Sequence, residues 1–166
     1  YYAMGLLNQI LVEGNDSKLY QKLVNEKAVT GDVSGGINAL LGNMYNYNGP
    51  MIWTVSLFHD NEITPDSIMS LVDEVVADVV DNPVDMNTLE RAKVKIRSEF
   101  FDNVSSFYGF GRADLLASFA LFDDDPNKIN FIESEFEKVT PELIQKTAKE
   151  YLRSSNRTVL NVIPNQ

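Results

Sequence analysis

The chain has 166 residues with 14 basic and 24 acidic side chains, a formal net charge of −10, 44% hydrophobic residues, one histidine and no cysteine. That length suits one domain, able to bury roughly 70% of the surface its unfolded form exposes without a disulfide or structural metal. The acidic balance opposes phosphate backbones, so no nucleic-acid partner is expected; no apolar run is long enough for membrane insertion, and the missing cysteines exclude thiol catalysis and zinc ribbons. A reducing or an oxidising compartment, cytoplasmic or periplasmic, is equally compatible with a cysteine-free chain.

Tyr1-Tyr2 runs straight into an apolar helical pattern, Ala3, Leu6, Leu7, Ile10 and Leu11, with no cap residue ahead of it. The chain therefore reads as starting inside an element, as a piece of a longer protein does. The helix stops at Gly14, and Asn15 or Asp16 is placed to cap a second one through Lys18, Leu19, Leu23 and Val24. Residues 29–41 and 51–58 read as two antiparallel strands around the loop residues Tyr45 to Pro50. Thr64-Pro65 opens an amphipathic helix with the stripe Ile68, Leu71, Val72, Val75, Val76 and Val79, ending before Asn82-Pro83. Asp85 opens another with Leu89, Ala92, Ile96 and Phe100 inward. A glycine-interrupted helical segment over 107–122 follows, then a Pro126-started helix through Ile129, Ile132 and Phe136. Thr140-Pro141-Glu142 starts the last helix, whose face carries Leu143, Ile144, Thr147, Ala148, Tyr151 and Leu152. Residues 158–163 alternate as a final strand. This order predicts an α+β two-layer sandwich: an antiparallel sheet of at least three strands, helices mostly on one face, and the Ile68–Val79 stripe against the sheet.

Several short patterns invite chemistry. Gly31-Asp32-Val33-Ser34-Gly35-Gly36 looks like a broken serine-protease Gly-Asp-Ser-Gly-Gly. No histidine precedes Ser34 to activate it, so a strand with a glycine bulge is the reading. Gly109-Phe110-Gly111 has Asp114 where a dinucleotide fingerprint needs a small residue, which leaves a helix interruption or close packing. Asp123-Asp124-Asp125 lacks the spacing of a calcium loop and suits capping before Pro126. His59, at a strand end, has no partner ligands in sequence and reads as a surface or half-buried histidine. Arg91, Lys93, Lys95 and Arg97 share one helix, either as a solvated face or as a contact for an acidic partner.

The close of the chain, with Leu89-Glu90-Arg91-Ala92-Lys93, the Asp125-Pro126 helix start and the early Leu6-Leu7-Asn8-Gln9-Ile10-Leu11 and Ser17-Lys18-Leu19-Tyr20-Gln21-Lys22-Leu23, resembles a half-domain of the M16 (pitrilysin/insulinase) zinc-peptidase family. The resemblance implies residues 1–166 as a single non-catalytic C-terminal half-domain of a bacterial zinc metallopeptidase. Its partners would be a catalytic half, in the same polypeptide or a partner subunit, and a peptide substrate. In the family, zinc is held by two imidazoles and a carboxylate, and an inverted H-x-x-E-H on one helix supplies both histidines and the general base. The counterpart here is Gly5-Leu6-Leu7-Asn8-Gln9, with neither ligand nor base, so zinc is expected only in the catalytic half, and no catalytic, metal or cofactor residue is assigned to this chain. Bacterial partner halves carry a substrate-assisting segment resembling R-E-K-x-G-L-A-Y-S-V. Residues 25–34 match it in Glu26-Lys27 and Val33-Ser34, but Asn25 stands at the Arg position and Gly31 falls near the Tyr position, so no substrate residue is assigned. The alternative is a binding or scaffold protein that keeps the half-domain without peptidase work.

Overall fold

The computed structural model describes residues 1–39, 44–45, 48–106 and 111–163. It is mostly helical, with one small antiparallel sheet.

Helix α1 (Tyr2–Leu11) is the centre of the molecule. Ala3, Gly5, Leu6, Leu7, Asn8, Gln9, Ile10 and Leu11 are all buried, the apolar ones in the core and the two amides on protein hydrogen-bond partners. Its neighbours are α4 (Met86–Ser105), α6 (Ile132–Glu137), α7 (Pro141–Tyr151), α2 (Lys18–Tyr20) and strand β1 (Ser34–Ile37). Gly14, with φ of 78°, turns the chain out of α1. The residue before α2 is Ser17, not Asn15 or Asp16, and its hydroxyl does not cap. It donates to Val12 O at 3.1 Å, tying the turn back to α1. From Gln21 to Glu26 the helix widens to π geometry and closes with Lys27 N donating to Lys22 O at 3.0 Å.

The two strand readings hold only in their middles. β1 pairs with β2 (Trp53–Ser56) in the register Ser34–Ser56, Gly35–Val55, Gly36–Thr54, Ile37–Trp53. Residues 29–33 stay outside the ladder, Asn38 turns with φ of 57°, and 40–41 lie outside the described residues. The expected bulge is absent from this register. Gly35 serves close approach instead, since a Cβ there would sit 2.0 Å from Thr54 O.

Helix α3 (Pro65–Asp81) starts as expected, with Thr64 Oγ1 accepting from Ser67 N at 3.3 Å and Pro65 in the first turn. Its stripe is buried against α7 and the α2 segment, not against the sheet. Length explains the correction: seventeen helical residues span roughly 25 Å, while a four-residue strand spans about 13 Å. Two helical segments, α7 and residues 18–26, cover the stripe together. Gln145 on α7 secures the contact, its Nε2 donating at 3.0 Å to both Val80 O and Asp81 O at the open end of α3.

Asp85 caps α4, accepting from Thr88 N at 2.9 Å, and Leu89, Ala92, Ile96 and Phe100 point inward as read. Helix α5 (Arg112–Asp123) ends in Asp124, left-handed at φ 54°; residues 107–110 of the predicted segment lie outside the described residues. Asp125 accepts from Asn127 N at 3.0 Å and opens a 3-10 turn (Pro126–Asn130) that breaks the predicted helix before α6. Thr140 caps α7 through Leu143 N at 3.3 Å. After a last 3-10 turn (Ser154–Asn156), the residues read as a third strand, 158–163, lie exposed and pair with no strand among the described residues. Among these residues no helix is long and apolar enough to cross a membrane.

Candidate functional site

Helix α1 carries two buried amides, Gln9 turned to α4 and Asn8 turned to β2. Arg91, Lys95 and Glu99 stand four residues apart and so share a face of α4. Two of them meet α1. Gln9 Nε2 donates to Glu99 Oε2 at 2.7 Å. Asn8 uses both ends of its amide, Oδ1 accepting from Trp53 Nε1 at 2.8 Å and Nδ2 donating to Glu13 Oε1 at 3.2 Å. Lys95 Nζ donates to Gln9 O at 3.2 Å, to Asp16 Oδ1 at 2.8 Å and, closely, to Glu13 O. Its ammonium thus closes the carbonyl end of α1, where cations are favoured. Beside this seam opens a shallow cleft of about 130 Å³, lined by Gln9, Asp16, Lys18, Arg91 and Lys95 among others.

The electrostatics follow from the contacts. Glu99 is an exposed residue whose carboxylate turns back onto buried Gln9; desolvation there, and then the Glu13 carboxylate, hold it above the usual carboxylate range against the opposing pull of the Gln9 amide and Lys95. Asp16 is held below that range, first by its hydrogen bond from Lys95. Every buried side-chain nitrogen or oxygen among the described residues has a hydrogen-bond partner.

This seam has little chemistry to offer. Amides are poor metal ligands and do not take protons from water, and Gln9 and Asn8 already spend theirs on protein partners. Position 5 is closed by packing, since a Cβ on Gly5 would lie 2.9 Å from Met44 Cε, 3.1 Å from Phe136 Cε1 and 3.2 Å from Ile96 Cδ1. An imidazole does not fit there without moving α6 or α4. Among the described residues no three His, Cys, Asp or Glu side chains stand where they could hold a metal ion.

The other sequence candidates lie apart from the seam. His59 is partly buried after β2, with Nδ1 2.9 Å from Asp60 O. Ser34 Oγ lies 3.0 Å from Ser56 Oγ across the hairpin. Gly111 precedes α5, its would-be Cβ 2.4 Å from Ser106 O, which makes it a close-packing glycine; Gly109 and Phe110 lie outside the described residues. Asp123 pairs with Lys128 at 2.6 Å, while Asp124 and Asp125 shape the turn. Of the basic four, Lys93 is buried between Glu90 and Glu137, Lys95 belongs to the seam and Arg97 reaches Glu133 at 3.5 Å. Lys93 and Lys95 are thus spent on the fold, and Arg91 and Arg97 stay at the surface. In the 25–34 segment, Glu26 pairs with Lys22 and Lys27, and Ala28 takes a left-handed φ of 49°. The residue that sequence reasoning missed is Glu99. Its signal was the four-residue spacing from Lys95, but nothing in sequence points that face at α1.

Residues 1–96 match the family model described as the Peptidase M16 inactive domain. Among solved structures, the chain is similar to the inactive peptidase domain of a proposed zinc protease from Bordetella parapertussis, with 19% identity, a TM-score of 0.78, and coverage of 100% of this chain and 85% of that one. A proposed zinc protease from Bordetella pertussis Tohama I gives 20% identity, a TM-score of 0.77, and coverage of 99% and 85%. A protease from Helicobacter pylori gives 16% identity and a TM-score of 0.72 over 93% of this chain and 35% of its own length, so the chain spans about a third of that protein. No curated protein matches it.

Proposed function

We infer that this chain, which belongs to the M16 peptidase family through its inactive domain, is the substrate-enclosing half of a zinc-dependent peptidase. The zinc, the two histidines and the general base sit in a separate catalytic half, in the same polypeptide or a partner subunit. This half supplies walls and positioning for an unfolded peptide. The observation that carries the reading is the seam: on the helix whose family counterpart bears H-x-x-E-H, Gln9 is spent on Glu99 and Gly5 is packed shut. What the half can contribute is alignment, which is worth several orders of magnitude in rate when a bound peptide must meet a metal-bound water. That the chain spans only a third of the Helicobacter pylori protease is in keeping with one half among others. The finer architecture we propose is the two-layer sandwich, with helices over an antiparallel sheet wider than the described hairpin.

The test is deletion. The full-length polypeptide, or this chain together with its catalytic half, should cleave unfolded peptides in a chelator-sensitive way. Removing residues 1–166 should abolish cleavage while zinc stays bound to the catalytic half. Undiminished cleavage after the deletion would reject the enclosing role and leave the scaffold reading.

A further inference from the structure

Asn48-Gly49 is the one place in the chain where glycine follows asparagine. Every other asparagine precedes a residue with a side chain, and Asn8 and Asn38 are buried besides. The difference matters because a neighbour without Cβ leaves the asparagine amide carbon open to the next backbone nitrogen. Asn48, Gly49 and Pro50 are all exposed, and the chain bends at Gly49. Gly49 N donates to no backbone partner among the described residues. The nitrogen is thus available as a nucleophile, and water reaches both residues.

The pair also sits where a change of charge has consequences. Just upstream the chain is rooted, with Tyr45 buried and its ring 5.6 Å from that of Phe100. At the exposed tip, Asn48 Nδ2 donates to Phe122 O at 3.4 Å. That carbonyl lies in the last turn of α5, among the four that a helix leaves without an intrahelical donor. The helix dipole makes this end negative, and Asp123, Asp124 and Asp125 follow directly, with Lys128 paired to the first of them. An amide donor suits such a place. A carboxylate, which only accepts, does not.

We propose that Asn48-Gly49 is a site of spontaneous deamidation, and that the conversion releases the loop tip from the end of α5. Gly49 N attacks Asn48 Cγ and gives up its proton; the new N–Cγ bond closes a succinimide ring. The Cγ–Nδ2 bond breaks, and Nδ2 takes the proton and leaves as ammonia. Water then opens the ring. Cleavage of the N–Cγ bond gives aspartate, and cleavage of the bond from Gly49 N to the Asn48 backbone carbonyl carbon gives isoaspartate. Nothing is oxidised or reduced, since the net change is amide plus water to carboxylate plus ammonium. In either product the donor to Phe122 O is gone and a negative charge stands in its place, so the tip leaves α5 while Tyr45 holds the root.

Peptide mapping by mass spectrometry on the full-length polypeptide, incubated at mildly alkaline pH, tests the chemistry. The peptide carrying residues 48–49 should gain about 1 Da, with both aspartate and isoaspartate forms resolved. Its conversion should run at least about tenfold faster than that of any other asparagine-bearing peptide, and Gly49→Ala should remove this advantage by restoring the hindrance of a Cβ. Conversion no faster than at other asparagines, or equally fast in Gly49→Ala, would overturn the proposal. Hydrogen exchange on the same samples tests the release. The amides of residues 120–125 should exchange at least about threefold faster in the converted protein and in Asn48→Asp than in the unaltered protein, while those of α1 stay as protected as before. Equal exchange at 120–125 in all three would refute the release. Neither measurement needs zinc or cleavage, so the outcome is independent of the peptidase reading.

Discussion

Gly5→Ala puts the packing of the seam to a quantitative test. On an open helix surface the change would stabilise, because Gly costs about 1 kcal/mol relative to Ala in a helix interior. At position 5 the new Cβ meets Met44 Cε at 2.9 Å, Phe136 Cε1 at 3.1 Å and Ile96 Cδ1 at 3.2 Å. The methionine end can swing aside. The Phe136 ring and the Ile96 methyl are buried and have nowhere to go, and overpacking of this kind costs about 1–3 kcal/mol. The balance is a net loss on the order of 1 kcal/mol, which for a domain of this size lowers Tm by about 2–4 °C. Gly5→His adds a larger ring and a buried polar group without a partner, and should lose roughly 3–5 kcal/mol. Urea unfolding at constant slope reads both. A Gly5→Ala variant stabilised by about 1 kcal/mol would show that position 5 is open and that packing does not exclude an imidazole there.

Two further outcomes follow from the same seam. Glu99 is held above the ordinary carboxylate value of 4.5, so the folded state binds its proton more tightly than the unfolded one; its contribution to stability falls as pH rises from about that value through the folded one. Urea midpoints measured across the acid range should show this fall in the unaltered protein and a flatter profile in Glu99→Gln, and identical profiles would refute the assignment. Asn8→Ala removes the acceptor of Trp53 Nε1 and the donor to Glu13, which should cost about 1–3 kcal/mol. Because Trp53 is the only tryptophan, a change in its fluorescence should accompany the loss, and an unchanged spectrum would contradict the contact.

What was legible in the sequence was local. Thr64, Asp85, Asp125 and Thr140 were each found as caps because a side-chain oxygen two or three residues ahead of a free amide is set by chain geometry alone. The helical spacing of Ala3, Leu6, Leu7, Ile10 and Leu11 announced a buried face of α1, while the burial of Asn8 and Gln9 on its other side depends on β2 and α4. The stripe of α3 announced a buried face but not its cover, since periodicity says that something packs there and not whether it is a strand or a helix. The Lys95–Asp16 and Gln9–Glu99 contacts join residues far apart in sequence, and Lys93 and Lys95 of the basic run on α4 entered such contacts once its neighbours were in place. The strand reading of 158–163 finds no partner among the described residues: alternation describes a segment fit for a ladder, and a ladder needs a second strand.

The central place of α1 also bears on how the chain is made. It is synthesised before every helix that covers it, and α7, with Ile144 and Ala148 buried in the same core, comes last among its neighbours. At about 5–20 residues per second, the apolar face of this helix waits on the order of ten seconds for that cover. During this interval the nascent chain presents Leu6, Leu7 and Leu11 with no native shelter. Chaperone demand during translation should therefore track the ribosome's progress from α1 to α7, and slow codons between them should lower the yield of folded protein more than slow codons after Tyr151.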